Sequence, residues 1–85
     1  MDERRLLRRI NRGAVTNVAF VDLCSLAEAL GFELCRIRGS HRVFAHPTVP
    51  EFLNLQPMRG QAKPYQVRQL LKLVERYDLK LEDQP

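Results

Sequence analysis

The chain has little with which to hold a metal or staple itself: two cysteines, two histidines and no C-x-x-C pair in 85 residues. Cys24 and Cys35 fall on an expected helix and an expected strand. That spacing favours buried free thiols in a reducing cytosol over a disulfide or a metal site. No apolar run approaches the ~20 residues a membrane span needs. The opening "MDERRLLRRINRG" carries arginines with no apolar segment behind them, so it does not read as a secretory signal. The expected location is therefore the cytoplasm. Paired carboxylates near a plausible site, a Walker-type phosphate loop and Ser-His-Asp spacing are all missing, as are internal repeats and low-complexity stretches. No cofactor is expected.

What remains is an ordinary globular composition, 45% hydrophobic and 28% charged. A single domain of this size buries roughly 60% of the surface its unfolded chain exposes, enough for a small core without staples. The formal net charge is +4 and the sequence pI is about 9.6. A basic surface of this kind favours a polyanionic partner, because each neutralised phosphate releases counterions.

Along the chain, acidic residues open and arginines close a first expected helix, Asp2 to Arg12, with Gly13 as its stop. Its apolar stripe is thin, being Leu6, Leu7 and Ile10, and five arginines (Arg4, Arg5, Arg8, Arg9 and Arg12) cover the rest. That face reads either as a solvated appendage or as an added arm for RNA or a partner. In a second expected helix, Phe20 to Leu30, the residues Phe20, Leu23, Ala27 and Leu30 recur on one stripe that Leu26 widens. Gly31 followed by Phe32 marks its C-cap.

Three short strands are expected next, over Phe32–Arg38, Arg42–His46 and Phe52–Gln56, each bounded by glycine or proline. Gly39-Ser40 suits a tight turn between the first two. The stretch "HPTVPE", with two prolines, is expected to connect the second to the third. Apolar residues occur on both alternations of the first two strands, so their inward face is open. A last helix begins at Pro64, a residue suited to a first turn, and carries Val67, Leu70, Leu71, Val74 and Tyr77 on one stripe. Residues 80–85 are expected to fray.

If the chain is an enzyme, His41 is its strongest candidate for a reactive group. Free imidazole titrates near 6.5, so roughly three-quarters of it is neutral at pH 7 and able to act as a general base. Ribonucleolysis without a metal needs such a base to take the proton of a ribose 2′-OH, which then attacks the adjacent phosphorus. It also needs cations for the charge growing on the phosphate oxygens. Arg38, Arg42 and Lys63 are the candidates, while Gly39 admits close backbone approach and Ser40 offers a hydrogen bond. His46 lies five residues beyond His41. In a regular strand it points to the opposite face, so only a bulge would let the two act as an acid–base pair.

The stretch "LGFELCRIRGSHRVFAHP" resembles the HicA family of bacterial toxins, the messenger-RNA ribonuclease half of toxin–antitoxin pairs. The residues that carry the resemblance are Leu30, Gly31 and Phe32, then Gly39, Ser40 and His41, then Val43 and Phe44, within a span from about Phe20 to Tyr77. The resemblance implies an α+β fold like that of double-stranded-RNA-binding domains, a helix, a three-stranded antiparallel sheet and a helix. The arginine-rich first helix is an addition to it. By the same resemblance His41 is catalytic, cleavage uses no metal, and a HicB-like antitoxin covers the site. Family members commonly follow the third strand with a proline and a histidine. Here Gln56 and Pro57 stand there, so Gln56 and Lys63 are expected to supply substrate contacts instead.

The expected organisation is thus a first helix over 1–13, a HicA-like domain over 14–79 and a flexible tail over 80–85. Two other readings share the fold: an RNA-binding module that does not cut, and a domain that serves only as an antitoxin's docking site.

Overall fold

The computed structural model describes residues 2–81. Helices α1 (Glu3–Asn11) and α2 (Phe20–Ala29) precede strands β1 (Glu33–Arg38), β2 (His41–His46) and β3 (Val49–Leu55). A two-residue-stranded hairpin, β4 (Pro57–Met58) and β5 (Gln61–Ala62), then leads into α3 (Pro64–Tyr77). The three long strands form one antiparallel sheet in the order β1-β2-β3. Helix, three-stranded sheet and helix are arranged as in double-stranded-RNA-binding domains, with α1 added in front.

The helix ends follow from their sequences. The Asp2 carboxylate accepts from the Arg4 amide at 3.0 Å and caps α1. At the end of α2, the Phe32 amide donates to the Ala27 carbonyl at 3.0 Å and the Gly31 amide to that of Glu28 at 3.0 Å. This is a Schellman closure, and it requires the positive φ of 101° that Gly31 adopts. Pro64 opens α3, where a missing amide hydrogen costs nothing.

The core lies between one face of the sheet and the helices. Phe44, Leu53 and Leu55 from the sheet meet Leu23 and Leu26 from α2 and Val67 and Leu70 from α3, all fully buried. Leu6 and Ile10 of α1 are equally buried in the same cluster. The first helix is therefore packed into the domain by its apolar stripe, with arginines turned outward. The linker contributes Val15 and Val18 to the core. Of the expected tail, Lys80 is exposed, Leu81 is buried, and residues 82–85 lie outside the described residues.

The structure corrects several sequence expectations. The third strand starts at Val49, not Phe52, and runs through Pro50. β3 is an edge strand, so a proline there removes no ladder bond if its nitrogen faces outward. "HPTVPE" thus contributes only Pro47 and Thr48 to a tight turn. Gln56 lies just past β3, and the β4–β5 hairpin had no counterpart in the expected elements. Cys35 is exposed rather than buried, and Cys24 is half-buried; both are free thiols. A register shift at Cys35 interrupts β1, and a second shift places Pro50, Glu51 and Phe52 of β3 opposite the single Ala45 of β2. The first bulge breaks the alternation of β1, while β2 keeps its own.

Two polar contacts tie Glu51 of β3 to α3. The Tyr77 hydroxyl donates to Glu51 Oε1, and Arg76 Nη1 lies 3.1 Å from Glu51 Oε2. The tyrosine hydrogen bond, with Arg76 assisting, holds the Glu51 carboxyl below the ordinary glutamate value of 4.5. The same bond pushes the Tyr77 phenol above its ordinary 10.0. A depressed folded-state carboxyl stabilises the fold above its unfolded value and loses that contribution as pH falls through the folded value. A raised phenol stabilises the fold below its unfolded value and loses that contribution as pH rises through the folded one. Tyr77→Phe should therefore be less stable than the parent at neutral pH, with the gap closing in acid and again in strong alkali. Denaturant melts of both proteins across pH check this, and a gap independent of pH would contradict it.

Candidate active site

β1 and β2 are joined by the turn that the sequence marks. Arg38 pairs with His41 across it, and Gly39 adopts a φ of 59° as its first central residue. A two-residue hairpin with a positive φ at that position favours glycine. The turn sets Ser40 and His41 at one end of the sheet, both exposed. By strand alternation His41 and Val43 lie on the face opposite the buried Phe44. Asn54 and the exposed Phe52 lie on that same open face, opposite Leu53 and Leu55.

His41 Nδ1 stands 3.3 Å from Asn54 Oδ1. An amide oxygen only accepts, so the imidazole proton sits on Nδ1, and among the described residues the Nε2 lone pair is left uncommitted. That is the tautomer a general base needs. Beside it runs a second chain of contacts: Gln56 Nε2 donates to Ser40 Oγ at 3.3 Å, and Lys63 Nζ donates to Gln56 Oε1 at 3.4 Å. The Gln56 backbone amide donates to Gln66 Oε1 at 3.1 Å. Gln66 is the one buried polar side chain among the described residues, and it anchors Gln56 from the start of α3.

Four of the residues picked from the sequence thus gather at one end of the sheet: Ser40, His41, Gln56 and Lys63. Gly39 shapes the turn, and Arg38 is the strand partner of His41. Arg42 goes elsewhere. Its guanidinium lies 5.7 Å from the centroid of the Phe20 ring, on the helix-covered side of the sheet, where it faces the half-buried Cys24. Burial pushes the Cys24 thiol up and the Arg42 charge opposes that shift.

His46 is likewise occupied. Its Nδ1 accepts from the Thr48 amide at 3.1 Å, so its Nε2 carries the proton and donates to the Leu30 carbonyl at 3.0 Å. Its ring also packs edge-on against Phe32 with centroids 5.1 Å apart. β2 carries no extra residue at Ala45, so His46 keeps the face opposite His41, where it holds the α2 end to the sheet and does not meet His41. Among the described residues no three His, Cys, Asp or Glu side chains gather as metal ligands would.

Sequence reasoning missed Asn54 and Gln66. The signal for Asn54 was available: in "FLNLQ" it alternates with two leucines, a polar side chain on the face of Phe52 and Gln56. Gln66 had no signal, because a glutamine near a helix start reads as surface.

A family model described as the HicA toxin of bacterial toxin–antitoxin systems matches residues 21–75. The chain belongs to the HicA toxin family. It is thereby a toxin of a toxin–antitoxin system, and an antitoxin is its expected counterpart. The match takes in α2 from its second residue, the whole sheet, the β4–β5 hairpin and most of α3, including His41 and Lys63, while α1 lies outside it. No curated protein and no solved structure matches the chain.

Proposed function

We propose that this toxin is a metal-independent RNA endonuclease that acts on messenger RNA in the cytoplasm, with His41 as its general base. The observation that carries the reading is the exposed His41 imidazole, its Nδ1 tied to Asn54 and its Nε2 uncommitted, beside the Ser40–Gln56–Lys63 chain. Nε2 takes the proton of a ribose 2′-OH. The 2′-oxygen attacks the neighbouring phosphorus in line, the bond to the 5′-oxygen breaks, and that oxygen takes its proton from water. The products are a 2′,3′-cyclic phosphate and a 5′-OH end.

Lys63 and Arg38 offset the charge growing on the phosphate oxygens, as cations positioned for a transition state do. Ser40 and Gln56 donate to the phosphate or the sugar, and Gly39 lets the backbone approach. Arg42 is left to the Phe20 contact and contributes its charge at a distance. With no second acid assigned to the leaving 5′-oxygen, turnover is slow. A HicB-like antitoxin that covers the open sheet face would block access to His41.

The test is incubation of the purified chain with labelled single-stranded RNA in excess chelator. The reading predicts discrete cleavage products under these conditions. RNA that is bound yet stays intact at every protein concentration would overturn it in favour of a binding module.

A further inference from the structure

A cavity of about 510 Å³ opens beside the His41 cluster, between the linker after α1 and the β4–β5 hairpin. Its lining includes Asn17, Met58, Arg59, Gln61, Lys63 and Pro64. The volume falls in the range of small-ligand sites. We propose that this cavity is the pocket for one nucleobase of the RNA, next to the cleaved linkage, and that it sets base preference. The proposal rests on the reading of the chain as RNA-binding.

Three observations support it. First, the cavity shares Lys63 with the cluster described above: Lys63 Nζ is 3.4 Å from Gln56 Oε1, and the same amide reaches Ser40 Oγ at 3.3 Å. A base in the pocket would therefore leave its phosphate near Lys63, one side chain from the turn that carries His41. Second, the chemistry of the lining fits a base and its phosphate. Met58 and Pro64 offer apolar surface to a ring face, Asn17 and Gln61 offer amides that both donate and accept at base edges, and Arg59 and Lys63 supply positive charge. No carboxylate lines it.

Third, the walls are built in advance. Arg9 Nη2 donates to the Thr16 carbonyl at 3.1 Å and the Asn17 carbonyl at 3.0 Å, fixing the linker from α1. The Ala62 amide donates to the Val18 carbonyl at 2.8 Å and the Phe20 amide to that of Gly60 at 3.0 Å, fixing the hairpin against it. At the hairpin tip, Arg59 and Gly60 both take positive φ, 54° and 78°. Asparagine or glycine suits the first of these positions better than arginine. The turn thus places Arg59 at the cavity wall in a backbone conformation that arginine disfavours. The inference also gives the added α1 a role, as the brace of one pocket wall.

The turn chemistry supplies a clean test. Arg59→Gly and Asn17→Gly remove the two side chains while suiting the positive φ at both positions, 54° and 57°. The full chain carrying His41→Ala, used so that RNA stays whole, is titrated with hexaribonucleotides that differ in one base, with and without the two substitutions. The expected result is affinity that varies about tenfold with the base at one position, roughly the worth of one or two hydrogen bonds. The added substitutions should flatten that variation without lowering the melting temperature. Affinity independent of the base at every position, or a preference that survives both substitutions, would overturn the pocket, as would no binding at all. Selective binding by the titrated protein together with a parent that never cuts would uphold the pocket while sinking the nuclease reading. Cutting without any base preference would do the reverse.

Discussion

Replacing His41 with alanine is expected to lower RNA cleavage by about 10²- to 10⁴-fold, the ordinary contribution of a positioned general base. The fold should persist. His41 is exposed at the end of β2, and among the described residues its one polar side-chain contact is to Asn54, which is also exposed. Surface changes of that kind usually shift stability by no more than about 0.5 kcal/mol. Parent and variant should therefore melt together while only the parent cuts. In cells, induced expression of the parent should arrest growth and His41→Ala should not. A variant that cuts or arrests growth as the parent does would remove His41 from the chemistry. His46 then offers no replacement, because both of its ring nitrogens are already engaged by Thr48 and Leu30.

The residues at the two ends of that comparison were not equally readable. Glycine, serine and histidine at a turn between two apolar stretches were visible in the sequence, and the turn forms where they stand. The α2 ending was also plain, since a glycine followed by an apolar residue after a periodic stripe suits a Schellman closure. The partner that fixes the tautomer of His41 was harder. Asn54 lies thirteen residues away, and only strand pairing brings it across. Which strand residues face each other depends on the two bulges, and a bulge has no composition of its own.

Prolines misled in one place and informed in another. Pro47 and Pro50 suggested a loop, yet an edge strand tolerates a proline. Pro64 marked the α3 start correctly because a first turn is where its ring fits. The β4–β5 hairpin escaped notice because its turn is Arg59-Gly60, whereas hairpins with positive φ at both central residues usually announce themselves with asparagine or aspartate before glycine. Arg42 was placed beside His41 in sequence and therefore assigned the same task. A strand sends neighbouring side chains to opposite faces, and it is found over Phe20 instead.

The substrate offers the sharpest probe of the mechanism. A base that abstracts the proton of a 2′-OH has nothing to act on when that hydroxyl is absent, so a single 2′-deoxy substitution at the cut nucleotide should abolish cleavage at that linkage alone. Nothing else about phosphate binding changes, since Lys63, Arg38 and Ser40 would meet the same phosphodiester. Mechanisms in which water is the nucleophile predict the opposite, because they do not use that hydroxyl.

The direct measurement is thus digestion of one labelled RNA and its singly 2′-deoxy-substituted twin by the purified chain, with the new ends identified. The account predicts a 2′,3′-cyclic phosphate and a 5′-OH from the RNA, and an uncut linkage in the twin. Equal cleavage of both, or products ending in a 5′-phosphate, would contradict it.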